Sequence, residues 1–315
     1  MKILIFATGG TIESVVDGGS INVSAAYRCA VAEEYAASRS GVQFDIRKPL
    51  NILSESLSAD DFNTLSGALF REDFSSYDGV ILTVGSDNLA YLSAFVGLLC
   101  ADAEVPICLV AANKILSDPA TNGFANFACA VALIRQQKRG VFVPYRNADG
   151  IMYVHSATDI RQADLSDDFF SYHGAYGVFE NGVLHERNPY LAQRLPIRYD
   201  NGHLPRITNS VLLLHPYPIQ DYARIEPDGV KAVLHTLYHS ATLDSSRFVP
   251  WMESHPELPV FLASFRKERK RYQTATDAIE AGAIPLYDIA PECAYIKLLL
   301  ACSQVEMSVR EFMKA

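Results

Sequence analysis

The sequence lacks the short motifs that mark several large classes of protein. Its six cysteines form no CxxC pair and its eight histidines show no HExxH spacing. No segment has the GxGxxG or GK[ST] pattern of nucleotide sites. We therefore predict no metal, no cofactor and no disulfide framework, since isolated cysteines in apolar stretches behave as small buried hydrophobic residues. No apolar run approaches the roughly 18 residues of a membrane-spanning helix or forms a signal segment, which predicts a cytoplasmic protein without membrane contact.

Basic residues are in the minority. The 315 residues carry a formal net charge of −9. An acidic chain repels phosphate backbones, so we predict no nucleic-acid partner. One basic cluster at 266–271 is typical of a solvated surface.

Short apolar runs rich in β-branched residues alternate with helical patterns, as in a parallel sheet covered by helices. The alternation stops at a polar stretch broken by proline and glycine and then restarts. We predict an α/β protein with a larger N-terminal doubly wound, mostly parallel sheet domain (1–185), a linker (186–208) and a smaller C-terminal parallel-sheet α/β domain (209–315). Residues 229–237 are also compatible with a partly helical structure. Predicted strands are 2–7, 80–84, 106–111, 140–143, 152–155, 211–214, 232–238 and 260–265, and predicted helices are 24–39, 59–70, 89–100 and 291–301.

The first predicted strand runs directly into Thr8-Gly9-Gly10-Thr11-Ile12. In open α/β sheets, ligands bind beyond the carboxyl ends of the strands. Two glycines allow a sharp turn with exposed N–H groups, which can hold an oxyanion, and Thr11 places a hydroxyl just after that turn. A glycine pair beside a threonine is also common in ordinary turns, so this segment alone does not define a site.

Two further predicted strand ends carry hydroxyls and carboxylates. Gly85, Ser86 and Asp87 follow the strand at 80–84, where Ser86 or Asp87 is also a candidate helix N-cap. Ser54 and Glu55 lie in a third segment and have no evident capping role. Together these groups suit a small ligand with an ammonium group, held by Asp87 and Glu55, and a carbonyl that a hydroxyl attacks.

Two neighbouring segments have structural interpretations. Ser58 and Asp61 have the spacing of a capping pair at a helix start. The glycine-rich stretch 17–21 is either the hinge of a lid or a plain hairpin-like turn.

Nearly the whole chain resembles the bacterial-type L-asparaginase family. Thr8-Gly9-Gly10-Thr11-Ile12 matches the family's opening motif, and Gly85-Ser86-Asp87-Asn88-Leu89-Ala90-Tyr91 is similar to its second motif. Ser54-Glu55 falls where the family binds the α-carboxylate and α-amino group of its substrate. Residues 110–126 and 283–298 are similar to the family's next strand and loop and to its closing strand and helix.

The resemblance implies acyl transfer from a small amino-acid amide. Thr11 would be the nucleophile, and Ser86 and Asp87 would belong to a relay that the family completes with a lysine. Gly10, Gly85, Ser54, Glu55 and Asp87 would bind substrate. The resemblance also implies a homodimer or homotetramer.

The sequence departs from the family pattern at three places. Ser86 replaces the relay threonine but keeps its hydroxyl, and Val84 replaces a histidine. The segment that should carry the lysine has none; its position falls on Asp159 or, with a two-residue shift, on Arg161. Arginine is not a base at neutral pH, and a carboxylate at that place would repel Asp87 or hold a proton.

Two other residues are candidates to serve Thr11 in place of the lysine. Tyr27 sits where the family's mobile lid carries a tyrosine, and Lys114 follows a predicted strand at a position that does not match the family. The leading hypothesis is an amidohydrolase for L-asparagine or a related amide such as L-glutamine. The alternatives are an amino-acid-binding protein that has lost turnover, and a transamidation subunit, against which the acidic charge and the absence of an added tRNA-binding domain count.

Overall fold

Two sheets organise the chain. The computed structural model describes residues 1–23, 29–164, 166–192, 204, 206–305 and 307–314. Contacts divide the chain into two units, Met1–Ile197 and Arg198–Ala315, each with a sheet of its own. The predicted class, a large mostly parallel sheet and a separate smaller parallel sheet, is confirmed. None of the described helices is both long and apolar enough to cross a membrane.

An eight-stranded sheet forms the centre of the first unit. The elements of this unit are β1 (Lys2–Ala7), β2 (Ser14–Asp17), β3 (Ser20–Val23), α1 (Ala30–Ser38), β4 (Gln43–Arg47), α2 (Ala59–Arg71), β5 (Gly79–Thr83), α3 (Leu89–Leu99), β6 (Ile107–Val110), α4 (Gly123–Arg135), β7 (Val141–Arg146), β8 (Met152–Ser156), β9 (Gly177–Glu180) and β10 (Val183–Glu186). The order in the sheet is β10-β9-β8-β7-β6-β5-β1-β4. The strands from β4 to β7 are parallel, and β8, β9 and β10 continue the sheet antiparallel.

Apolar residues on both faces of the central strands explain why helices cover the sheet on both sides. Ile3, Ile5 and Ile81 pack in one buried cluster with residues of α1 and α4. The helices α2 and α3 meet through Phe62 and Phe95, whose ring centroids lie 4.8 Å apart. Burial on both faces makes the strands apolar runs, which is why the sequence predicts them well.

The strand order reverses at β1. From β1 the chain crosses first to β4 on one side and then to β5 on the other. Such a reversal opens a crevice beyond the carboxyl ends of the two flanking strands, where ligands bind in open α/β sheets. The segments that follow β1, β4 and β5 are the ones that carry the predicted site residues.

The segment after Thr11 forms a hairpin. β2 and β3 pair antiparallel around Gly18 and Gly19, whose φ angles are 57° and 86°. Positive φ at both central positions is the geometry of the two-residue turn that suits the twist of a hairpin. The structure therefore shows the turn, one of the two interpretations of this stretch.

A four-stranded parallel sheet forms the centre of the second unit. Its elements are β11 (Val211–Leu214), β12 (Ala232–Thr236), α5 (Ser245–Glu253), β13 (Val260–Phe265), α6 (Gln273–Glu280), β14 (Ile284–Tyr287), α7 (Pro291–Cys302) and α8 (Val309–Lys314), with the strands in the order β11-β12-β13-β14. The partly helical interpretation of 229–237 is wrong. Every residue of β12 is buried between its two neighbours, so its run of apolar residues is that of an interior strand.

The capping pair predicted at the start of α2 is confirmed. The hydroxyl of Ser58 accepts a hydrogen bond from the backbone N–H of Asp61 at 3.3 Å, and the Asp61 carboxylate accepts from the backbone N–H of Ser58 at 2.8 Å. Both bonds satisfy N–H groups that have no partner within the helix.

Ser58→Ala is expected to lower the free energy of unfolding by about 1 kcal/mol, because the helix loses the side-chain acceptor at its N-cap. Urea denaturation followed by circular dichroism measures the change. Ser40→Ala, at an exposed loop position after α1, is the control and should stay within about 0.5 kcal/mol of the parent. Equal stability of the two variants would contradict the role of the cap.

Candidate active site

Three loops meet at the strand reversal. After β1, the backbone N–H of Gly10 donates to the carbonyl of Ile52 at 2.9 Å, and the N–H of Ile52 donates to Thr8 at 3.1 Å. The N–H of Thr8 donates in turn to Thr83, the last residue of β5, at 3.1 Å. The loop after β1 is therefore fixed on one side by the loop after β4 and on the other side by β5.

The backbones of these loops approach as closely as glycine permits. A Cβ atom added to Gly10 would lie 2.2 Å from the Cα of Gly85, and one added to Gly85 would lie 2.3 Å from the Cβ of Ser54. Real Cβ atoms do not make contacts this short, so only glycine fits at either position. The two motifs predicted to share a site thus touch through their glycines.

Ser54 supports the loop that carries Ser86 and Asp87. Its hydroxyl accepts from the backbone N–H of Asp87 at 3.2 Å, and its carbonyl accepts a short hydrogen bond from the side chain of Asn88. Asn88 is the N-cap of α3, with no side-chain capping bond, so the N-cap interpretation of Ser86 and Asp87 is wrong. The Asn88 amide donates to the neighbouring loop instead.

The hydroxyl-bearing and carboxylate-bearing residues differ in exposure. Ser54 is buried, Thr11 and Ser86 are half-buried, and Glu55 and Asp87 are exposed. Exposed carboxylates suit the recognition of an ammonium group through charge-assisted hydrogen bonds. The binding and catalytic roles of these residues stay predictions, and Tyr27 lies outside the described residues.

A short 3₁₀ turn, Thr11–Glu13, positions Thr11. The carbonyl of Gly10 accepts from the backbone N–H of Glu13 at 3.0 Å and from the hydroxyl of Ser14 at 2.9 Å. These bonds hold the chain immediately around Thr11. The turn needs the positive φ of Gly10, 75°, which a residue with a Cβ rarely adopts.

The segment expected to supply the relay lysine runs beside α3. β8 is antiparallel to β7, and the chain then returns towards Ser86, whose carbonyl accepts from the side-chain amide of Gln162 at 3.2 Å. Asp159 is buried, and its carboxylate accepts from the backbone N–H of His173 at 2.9 Å and contacts Nδ1 of His173 at 2.6 Å. The Gln162 side chain contacts the loop of Ser86, and His173 contacts the Asp159 carboxylate. Arg161, the other position that aligns with the family lysine, directly precedes Gln162.

Lys114 lies beyond β6 and forms an ion pair with Asp118 at 3.6 Å. The same loop is fixed by two amides: the backbone N–H groups of Asn113 and Asn122 each donate to the other residue's side-chain oxygen at 3.0 Å. These bonds account for the polar residues of the segment as structural contacts.

A buried acid–base pair lies next to Thr11 and is not evident from the sequence. Glu13 and Lys48 are both buried, and the carboxylate Oε2 lies 3.8 Å from the lysine Nζ. Burial raises the pKa of Glu13 to about 7, although the hydrogen bond from Thr83 and the charge of Lys48 oppose the rise. The two residues are far apart along the chain, so no sequence pattern links them.

The arrangement offers a half-buried hydroxyl at a tightly held turn and exposed carboxylates on two neighbouring loops. A hydroxyl can attack a carbonyl, and carboxylates can bind an ammonium group.

Comparisons with known proteins agree with this fold. A family model described as "Asparaginase, N-terminal" matches residues 2–183, more than half of the chain. The L-asparaginase of Thermococcus kodakarensis is 24% identical over 314 residues, which cover 96% of this chain and 92% of that protein. One subunit of the glutamyl-tRNA(Gln) amidotransferase of Methanosarcina barkeri is 24% identical over 330 residues, which cover 97% of this chain and 75% of the amidotransferase polypeptide.

A solved structure shows the same architecture. The thermostable L-asparaginase from Thermococcus kodakarensis superposes with a TM-score of 0.76 at 22% identity, covering 100% of this chain and 96% of that one. At this identity the structural likeness establishes the fold, whereas the family model establishes the family through residues 2–183. The chain belongs to the asparaginase family.

Proposed function

We propose that the protein hydrolyses L-asparagine, or a related small amide such as L-glutamine, to the acid and ammonia. The observation that supports this most strongly is the backbone contact between Gly10 and Gly85, which joins the loops of Thr11 and Ser86–Asp87 at the strand reversal. One small substrate is then able to meet both loops. Membership of the asparaginase family supports the same reaction class.

The proposed reaction proceeds through an acyl-enzyme. The hydroxyl oxygen of Thr11 attacks the carboxamide carbon while a base takes its proton. A backbone N–H of the loops around Thr11, other than that of Gly10, which is bonded to Ile52, stabilises the oxyanion. The nitrogen leaves as ammonia after gaining a proton. Water then attacks the ester carbonyl, which releases the acid and restores the Thr11 hydroxyl.

Substrate recognition is proposed to use the exposed carboxylates. Asp87 and Glu55 are exposed carboxylates on two neighbouring loops, and they suit the α-ammonium group of an amino acid. The buried hydroxyl of Ser54 accepts from the Asp87 backbone, which holds the Asp87 loop in place. Its predicted contact with the substrate is part of the proposal.

A transamidation role is the second candidate, because the amidotransferase polypeptide is as similar in identity as the L-asparaginase. In such a protein the released ammonia would pass to a partner. Free asparaginase activity is favoured because the alignment covers 92% of the asparaginase and 75% of the amidotransferase polypeptide.

The deciding experiment incubates the purified protein with L-asparagine or L-glutamine and measures ammonia with a coupled assay. We expect release from at least one of the two amides, with saturation kinetics. Calorimetry with L-aspartate runs in parallel: tight binding without ammonia release would support the binding-protein alternative and reject hydrolysis. Absence of both ammonia release and binding would reject both.

A further inference from the structure

Glu13 is a buried carboxylate for which the proposed reaction has no use. It lies two residues after Thr11, and only 6% of the residue is exposed. Its Oε1 accepts a short hydrogen bond from the hydroxyl of Thr83. Within the described part of the chain, its Oε2 has no hydrogen-bond partner and lies 3.8 Å from Nζ of Lys48.

The contacts of Glu13 join the three segments that form the candidate site. Glu13 ends the turn after β1, Thr83 is the last residue of β5, and Lys48 directly follows β4. These segments continue to Ser86 on one side and to Ser54 on the other. Burying a charged pair costs desolvation free energy unless its geometry is favourable. A pair buried next to the Thr11 turn therefore needs an explanation.

We infer that Glu13 and Lys48 form a buried latch that positions Thr11 by holding its turn against β5 and the segment after β4. Glu13 is a positioning residue that acts through the turn and does not touch substrate. The inference rests on the proposed function, because it assigns the latch to the same reaction.

The latch is sensitive to pH. Burial is the main cause that raises the pKa of Glu13 to about 7. The other titratable groups near it, among the described residues, are Lys48 and the thiol of Cys29 at the start of α1, which also lies near the exposed Glu33. Burial raises the pKa of Cys29 to about 12, so this thiol stays neutral near pH 7.

The charged latch forms above about pH 7. Below that pH the carboxyl of Glu13 gains a proton and its attraction to Lys48 is lost. We therefore expect kcat/KM of the wild type to fall on the acid side of a midpoint near pH 7. If the Glu13 side chain served only as packing, kcat/KM would show no midpoint near pH 7.

Glu13→Gln keeps the shape of the side chain and removes its charge. The variant is expected to lose about tenfold to a hundredfold in kcat/KM at pH 8, because small misplacements of a reacting group have effects of that size. Its remaining activity should show no acid limb near pH 7. The matched control is Glu186→Gln, which breaks the Lys138 ion pair of 2.6 Å on the edge strand β10 and should leave the profile unchanged.

Lys48→Met gives an independent test. Removing the lysine charge leaves Glu13 without its partner at every pH. We therefore expect kcat/KM at pH 8 to fall about tenfold to a hundredfold, as in Glu13→Gln, and the acid limb near pH 7 to be absent. A wild-type profile without a limb near pH 7, or a Lys48→Met variant that keeps that limb, overturns the inference. A Glu13→Gln profile equal to that of the wild type overturns it as well.

Folding and function are checked separately. Thermal unfolding shows whether each variant is folded. If neither Glu13→Gln nor Lys48→Met folds, NMR of the wild type labelled with ¹³C at the glutamate carboxyls decides: a carboxyl must titrate near pH 7 together with kcat/KM, and its absence overturns the latch. A wild type that releases no ammonia rejects the proposed function, whereas an active wild type with an unaltered variant profile rejects only the latch.

Discussion

Thr11→Val is expected to lower kcat/KM for ammonia release by about 10⁴-fold or more, the scale seen when a member of a nucleophilic catalytic unit is removed. Valine has nearly the same shape as threonine and lacks the hydroxyl that forms the acyl-enzyme. The turn at Thr11–Glu13 is held by hydrogen bonds to the Gly10 carbonyl from Glu13 and Ser14. Because those bonds do not involve the Thr11 side chain, the variant should fold normally.

The control for this experiment is Thr11→Ser, which keeps a hydroxyl and should retain measurable turnover. Steady-state kinetics with a coupled ammonia assay compares the three proteins, and calorimetry with L-aspartate compares their binding. We expect Thr11→Val to bind L-aspartate while releasing no ammonia. Activity close to that of the wild type in Thr11→Val would remove Thr11 from the mechanism.

Gly10→Ala is expected to destabilise the first unit by about 2–6 kcal/mol, through two effects. The residue has φ of 75° and ψ of −178°, a region that is essentially restricted to glycine and costs an L side chain roughly 1–3 kcal/mol. In addition, its Cβ would lie 2.2 Å from the Cα of Gly85, and relieving such a backbone clash typically adds a further 1–3 kcal/mol. Denaturant unfolding of the purified variant measures the loss.

Gly19→Ala is the control for a glycine with positive φ and no backbone clash. Gly19 has a similar φ of 86°, yet an added Cβ would meet nothing within 4 Å. This control should therefore lose only the conformational part, about 1–2 kcal/mol. If the two variants are destabilised equally, the contact between the Gly10 and Gly85 loops is looser than the structure indicates.

Burial explains which strands the sequence predicts. β1, β11 and β13 match their predicted bounds, because each is a short apolar run. β1 and β13 lie inside their sheets, and β11, although an edge strand, is buried at both ends. The edge strand β4 was missed, since Gln43–Arg47 alternates polar and apolar residues and carries charges paired with Lys2 and Glu72. An edge strand needs charge to discourage further pairing, and that charge hides it from a search for apolar runs.

Helix α4 was missed for a different reason. Gly123–Arg135 begins with glycine, and its N-cap, Asn122, makes no side-chain capping hydrogen bond although asparagine favours that position. The Asn122 side chain contacts the backbones of Asn113 and Arg146 instead of capping the helix. Tertiary contacts of this kind are not visible in a local pattern.

The parts of the candidate site that follow from strand order could be predicted from the sequence, whereas the side-chain contacts between distant segments could not. Because Thr11 and Ser86 each follow an apolar strand, their segments were expected at the same edge of the sheet, and the structure brings the two segments into contact. The Glu13–Lys48 pair and the Gln162 contact with Ser86 link residues from distant segments. Their partners emerge only once the chain has folded.

The glycine contact also bears on how specificity can diverge in this protein. Where Gly10, Gly85 and Ser54 meet, the floor of the candidate site consists of main chain and the Ser54 side chain, with no space for a Cβ atom at either glycine. Substitutions at this contact therefore disrupt the fold. Substitutions that alter specificity are expected at the surrounding exposed positions, such as Glu55 and Asp87. A lineage that acquires a new amide substrate should keep this floor and exchange the residues above it.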